Sequence, residues 1–211
     1  MRTRLILLLS VLLSASPALL TLAETTKVTP GSTPTASPLL AQREDCFDKY
    51  DRKFTPSSTT RTVDLKQFGI QVKIPNNFRT MLRNDGEVWI VNPVDYDLIA
   101  CSVRGGIGGR GLYHPYIRRR PNPSGLPVHQ WVSQRERLKK IQRGKFYRSS
   151  VQPYQVSGQD GVLVESGSRL VHTSYFMAVP GMRDVVEIGV GCDCDVRNKE
   201  LVEFLKNVSL R

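Results

Sequence analysis

The sequence predicts an α+β fold, an antiparallel sheet flanked by helices in a single domain, and three features of it say so. Ile70, Val72 and Ile74 alternate with Gln71 and Lys73 until Pro75 ends the run, the period-2 pattern of a half-buried strand. Val128, Trp131, Val132, Leu138 and Ile141 recur at helical spacing. From Val151 to Cys192 strand-like segments follow one another in series.

The remaining elements follow in order. A segment with Cys46, Phe47, Tyr50 and Phe54 reads as one or two helical turns, Thr55 to Arg61 as a turn, and the domain proper begins near Thr62. Phe78 to Arg83, then Asp85-Gly86, then Glu87 to Val91 reads as a hairpin on a tight type I′ turn. Tyr96 to Val103 is expected to be another strand, carrying Cys101. Residues 104–126 are rich in glycine, proline and arginine and read as a mobile loop. The helix after it has Pro127 placed for its first turn and Gly144 for its C-cap. Its apolar stripe opposes Arg137, Lys139, Lys140 and Arg143.

Strands are then expected at Val151 to Val156, Gly161 to Glu165, Arg169 to Val179 and Asp184 to Cys192, with Pro180-Gly181 turning between the last two. Asn198 to Lys206 closes as a short helix, and Val208 to Leu210 as a final strand. No internal repeat is present. Asn207-Val208-Ser209 fits a glycosylation sequon, a triplet too short to argue from.

The N-terminus sets the expected compartment. Arg2 and Arg4 precede an apolar stretch from Leu5 to Leu13, and small residues lead to Thr21-Leu22-Ala23, the three-part pattern of a secretory signal. Residues 1–23 are therefore expected to be a signal peptide, 24–42 a disordered linker of Pro, Ser and Thr, and 43–211 one globular domain. Ser10, Ser14, Ser16 and Pro17 interrupt the apolar run, and a spanning helix needs about 20 consecutive apolar residues. No transmembrane segment is expected in the mature chain, which belongs in the periplasm, the thylakoid lumen or the extracellular space. The formal charge falls from +11 to about +9 without the two leader arginines.

The cysteines Cys46, Cys101, Cys192 and Cys194 form an even set in an exported chain and read as two disulfides. Cys192 and Cys194 lie on one face of a predicted strand, where a bridge between them needs a strained local geometry. Each is therefore expected to reach Cys46 or Cys101. Bridging also outweighs a zinc site made from Cys192, Asp193, Cys194, Asp195 and one of His114, His129 or His172, because no second close ligand pair exists. No metal is expected.

Gly106-Ile107-Gly108-Gly109-Arg110-Gly111 matches a dinucleotide-loop pattern. That motif works by opening a helix on its last glycine, whereas Leu112-Tyr113-His114-Pro115 follows here, so no cofactor is expected. No G-x-S-x-G is present, and the three histidines have no recognisable catalytic partners. The carboxylate pairs Asp184 with Glu187 and Asp193 with Asp195 fit turn and strand-edge positions better than acid and base roles. No catalytic residue is assigned.

The candidate binding residues are Arg104, Arg110, Tyr113, Tyr116, Arg118, Arg119 and Arg120, a mixture of guanidinium groups and rings suited to anions. Outside the cytoplasm the available polyanions are acidic proteins, glycans and lipid surfaces rather than nucleic acid.

Phe68-Gly69-Ile70-Gln71-Val72-Lys73-Ile74-Pro75 with Phe78, the helix around Trp131, the hairpin region from Gly158 to Glu165, Val185 to Gly191 and Leu201 to Leu210 together resemble the PsbP-like fold. That family comprises extrinsic lumen-side photosystem II proteins and cyanobacterial envelope relatives. The resemblance covers about Thr62 to Arg211 and implies a binding or assembly role rather than catalysis. The Cys192-Asp193-Cys194 run and the arginine-rich segment depart from the family pattern.

The function expected from the sequence is that of an exported, non-enzymatic accessory protein docking on an acidic partner or anionic surface through a basic loop. The alternative is an envelope enzyme acting on an acidic substrate, with its site near 104–120.

Overall fold

The structure, a computed structural model, describes residues 43, 45–50, 53–108, 112–192 and 194–211. The expected leader, the linker, Arg110 and Asp193 lie outside the described residues.

Two antiparallel sheets carry the fold. A three-stranded sheet takes β2 (Ile70–Pro75) between β1 (Thr60–Leu65) and β10 (Val208–Leu210). A seven-stranded sheet contains β3 (Arg79–Leu82), β4 (Val88–Val91), β5 (His114–Arg120), β6 (Arg148–Val156), β7 (Gln159–Gly167), β8 (Val171–Ala178) and β9 (Val185–Gly191). Its spatial order is β3-β4-β5-β9-β8-β7-β6. The helices are α1 (Cys46–Tyr50), α2 (Pro93–Val103), α3 (Val128–Arg143) and α4 (Asn198–Leu205). The chain is thus α+β as the sequence predicts, with two sheets in place of one.

The large sheet is covered on both faces. On one side Ile117, Tyr175, Met177, Val186 and Ile188 pack with Ile70, Val72 and Ile74 of β2 and with Leu201 and Leu205 of α4. On the other, Val162, Val164, Phe176 and Val185 pack under Val132 of α3, with Trp131 partly buried beside them. Successive strand residues point to opposite faces, so β8 is apolar at consecutive positions 175–177 because both faces are occupied.

The α3 stripe is rotated from the expected one. Leu138 and Ile141 are 58% and 70% exposed, whereas Glu136 is buried at 3%. From Val132 the positions three, four, seven and eleven residues on share its face, which turns Arg135, Glu136, Lys139 and Arg143 toward the sheet. Ions can line part of that face because the sheet beneath carries Arg118 and Glu187 beside its apolar cluster.

Tyr96 to Val103 is not a strand but most of α2. Asn92 caps the helix, its side chain accepting from the Asp95 N–H at 2.9 Å, and Pro93 follows at the first turn. Asn-Pro-x-Asp is a helix-start signature, and it overrides the strand propensity of the tyrosine and β-branched residues behind it.

The segment 104–126 is not all loop either. Residues 114–120 form β5 in the middle of the large sheet, paired to β9 from His114 with Gly191 to Arg120 with Val185. Its polar sequence hides it, because its partners on one face are charged.

The β3–β4 turn also differs. The Arg83 carbonyl accepts from Gly86 N at 3.0 Å, and Arg83 N donates to the Glu87 carbonyl at 2.8 Å. Asp85 is not left-handed, whereas Gly86 has φ of 82°. This is a three-residue loop of type I turn plus left-handed glycine. A two-residue loop with both residues left-handed occurs instead at Ser157-Gly158, φ 49° and 79°, between β6 and β7.

The disulfides pair Cys46 with Cys101, and Cys192 with Cys194. The expected exchange between the two groups does not occur. β9 ends at Gly191, so Cys192 and Cys194 lie beyond the strand. Their Cα atoms are 5.1 Å apart, inside the bridging range and closer than the roughly 6.6 Å of two residues along a strand. Cys46–Cys101 spans 55 residues and ties α1 to α2, a constraint on the unfolded chain that stabilises by about 4 kcal/mol. The three-residue ring at Cys192–Cys194 gives less than about 2 kcal/mol by the same relation.

Candidate functional site

The strand period that buries Ile117 and Ile188 against β2 turns Tyr116, Arg118 and Arg120 of β5 and Glu187 of β9 to the α3 face. Glu87 just before β4, Trp89 of β4 and Ser174 of β8 join them there. Arg118 lies directly opposite Glu187 in the ladder.

Glu187 is the hub. Its side chain is 3% exposed and accepts from Arg118 Nε at 3.0 Å and Nη2 at 2.8 Å, from Arg120 Nε, and from the Tyr116 hydroxyl at 3.0 Å. Arg118 Nη1 reaches Glu87 Oε2 at 3.1 Å, and Glu87 Oε1 accepts from Trp89 Nε1. Burial alone would push the Glu187 carboxyl up, but the hydrogen bonds and charges of Arg118 and Arg120 overcome it and hold it at about 2. Tyr116 is pushed up to about 12 by burial and the Glu187 charge. A Cβ on Gly189 would stand 2.5 Å from Tyr116 Cζ and Oη, so the ring requires a glycine beneath it.

α3 forms the opposite wall. Glu136 accepts from the Tyr147 hydroxyl and from Lys139 Nζ, each at 2.6 Å. Burial and then the Glu136 contact push Tyr147 up to about 12. Burial lowers Lys139, its bond to Glu136 opposing the shift. Arg135 lies against the rings of Trp131 and Phe176, 5.4 and 5.2 Å from their centroids. Its Nη1 is 3.7 Å from Glu187 Oε2, is shielded from solvent and has no hydrogen-bond partner.

Between the two walls lies a groove of about 210 Å³ lined by Arg118, Arg135, Lys139, Arg143, His172 and Glu187 among others. Two of these cations are already paired, Arg118 with Glu187 and Glu87 and Lys139 with Glu136, and the Glu187 carboxylate is committed to Arg118 and Arg120. Ser166 and Gly167 also border a second depression of about 540 Å³ on the side of Arg148 and Arg197. Glu187, Tyr116 and Tyr147 keep their protonation states through the neutral range, so the groove offers fixed charge and donors rather than proton transfer from these groups.

The candidate residues read from the sequence do not form one loop. Tyr116, Arg118 and Arg120 sit in β5 at the hub. Arg119 points to the other face, where its guanidinium donates to the Gln67 carbonyl. Arg104 caps the end of α2, Tyr113 is 46% exposed ahead of β5, and Arg110 lies outside the described residues.

Sequence reasoning did not bring Glu187, Arg135, Lys139, Arg143 and Tyr147 together around one groove. One signal was available: Glu187 interrupts the apolar run Val185 to Val190, and an acid inside a buried strand needs cationic partners.

No family model matches the sequence, and no curated protein is significantly similar to it. Among solved structures the chain is similar to cyanobacterial PsbP (CyanoP) from Synechocystis sp. PCC 6803, at 8% identity and a TM-score of 0.45 over 76% of this chain and 97% of that one. It is also similar to the Ran-binding protein Mog1p of Saccharomyces cerevisiae, at 11% identity and 0.41 over 73% and 96%. For PA94 of Pseudomonas aeruginosa, a protein of unknown function, the values are 11% and 0.35 over 64% and 83%. These are weak likenesses of fold, and the PsbP-like resemblance stands at that level. Among the described residues no helix is long and apolar enough to cross a membrane.

Proposed function

We propose that this chain is an exported, non-enzymatic binding protein that docks an acidic group of a partner protein in the groove between α3 and the large sheet. The observation that carries the reading is Arg135, whose Nη1 is shielded, lies 3.7 Å from the already committed Glu187 carboxylate and has no hydrogen-bond partner, in a groove it lines together with Arg143. An unsatisfied buried donor is costly, and an incoming carboxylate relieves it with a charge-assisted bond. At about 210 Å³ the groove falls below the roughly 300–1,000 Å³ of small-molecule sites. It suits one acidic group projecting from a larger partner better than a whole substrate. The two disulfides fit an oxidising compartment. The basic feature is thereby assigned to a groove built from β5, β9 and α3 instead of a loop.

Calorimetric titration with an acidic glutamate-rich peptide tests it. Binding should weaken steeply with salt and be absent for the glutamine counterpart. Salt-insensitive binding, or equal binding of both peptides, overturns the reading.

A further inference from the structure

We infer that the Cys192–Cys194 disulfide is a redox-active pair that accepts electrons from the dithiol of another exported protein. The inference is independent of the groove and rests on the contrast between the two bridges.

Cys46 and Cys101 are 0% and 1% exposed and span 55 residues, the buried cross-link of a structural disulfide. Cys192 and Cys194 are two residues apart and only partly buried at the edge of the main core. So small a ring restrains little of the unfolded chain, while partial exposure leaves a path for an attacking thiolate.

The backbone on either side of the pair has anchors of its own. Before it, the β5–β9 ladder ends with His114 opposite Gly191. After it, Asp195 Oδ1 accepts from Val171 N at 2.7 Å, Val196 N donates to the Val171 carbonyl at 2.7 Å, and the Thr173 hydroxyl donates to the Val196 carbonyl at 2.8 Å. With both ends clamped to neighbouring strands, the bridge can open and close while the fold around it stays in place.

The exchange balances without a further reagent. A thiolate of the partner dithiol attacks one sulfur of the pair, forming a mixed disulfide as the Cys192–Cys194 bond breaks, and the other sulfur leaves as a thiolate that takes up a proton. The partner's second thiol, deprotonated, attacks the mixed disulfide. The partner ends as a disulfide, and Cys192 and Cys194 end as thiols, having gained two electrons and two protons.

Graded dithiothreitol on the native full chain, followed by alkylation and mass analysis of each cysteine, is the first test. Cys192 and Cys194 should open at a reductant concentration at least about tenfold below that for Cys46 and Cys101. The oxidised chain is then mixed with a synthetic peptide carrying two thiols. It should oxidise the peptide in a one-to-one ratio, whereas the double variant Cys192→Ser, Cys194→Ser should not, at unchanged circular dichroism. Free thiols at both positions in the untreated native chain, opening of both bridges only together, failure to oxidise the peptide, or transfer that survives in the double variant each overturns the inference.

Discussion

Arg118 and Glu187 stand directly opposite one another on β5 and β9, joined by two hydrogen bonds of 3.0 and 2.8 Å from one guanidinium to one carboxylate. The pair sits on the α3 face, where Arg120 and Tyr116 complete the shell of Glu187. Because Glu187 holds its proton only below about 2, against an ordinary 4.5, its ionised form favours the folded state. That stabilisation is complete above the ordinary value and is lost as pH falls toward 2. The shift corresponds to on the order of 3 kcal/mol. Urea midpoints measured at falling pH should therefore drop between about pH 5 and pH 2. In Glu187→Gln the acid limb should be shallower, on a base about 3–5 kcal/mol less stable because the arginines lose their counter-charge. An unchanged acid limb in the variant would show that Glu187 is not the group responsible.

Gly189→Ala tests the seat of Tyr116. Its Cβ would lie 2.5 Å from the ring, forcing the ring off its bond to Glu187 at a cost of about 2 kcal/mol. Adding Tyr116→Val, which removes the ring, should restore part of the loss in thermal melts. A neutral Gly189→Ala would contradict the close approach.

What the sequence revealed and hid follows from how each element is partnered. β6 to β9, α3 and α4 were legible because each has an apolar side against a core. β5 was not: His114 to Arg120 contains one apolar residue pointing to the main core, Ile117, and its other face answers to Glu187, a residue distant in sequence. Hydrophobic period cannot register a strand whose partner is a charge. The same cause divided the arginines of β5, since whether one turns to Glu187 or to Gln67 depends on strand parity. α2 was misread for a different reason, as strand-favouring side chains outweighed the cap at Asn92.

That cap can be measured. Asn92→Ala should cost about 1 kcal/mol, while Asn92→Ser should keep most of the stability by preserving an acceptor for the Asp95 N–H. Asn92→Asp should fare worse than Ser, because it puts a second carboxylate beside Asp95, whose own ionisation burial already disfavours. Equal stabilities by urea unfolding would remove the cap from the account of α2.

The groove itself is best tested by a change that leaves the hub alone. Arg135 makes no hydrogen bond to Glu187 and packs on Trp131 and Phe176, so Arg135→Met keeps the packing and removes the charge. It should weaken binding of the glutamate-rich peptide about tenfold, the loss of one charge-assisted bond, with stability nearly unchanged. Trp131 should report the same binding by fluorescence in the parent chain. Undiminished affinity in Arg135→Met would move the acidic contact away from α3.

Cys46→Ser with Cys101→Ser should have the opposite profile, stability lost and the groove retained. The bridge spans 55 residues and ties α1 to α2, and its removal should cost about 4 kcal/mol. Cys46, Leu98 and Cys101 form their own small apolar cluster with Leu112, apart from the hub, so binding of the acidic peptide to the folded fraction should stay within about twofold of the parent, because sites that share no contacts behave independently. The comparison with Cys192→Ser, Cys194→Ser is decisive, because that double variant closes no long loop and should lose less than about 2 kcal/mol. Equal losses from the two pairs would mean that the short bridge stabilises the fold as the long one does, and calorimetric melts of the two variants side by side distinguish the cases.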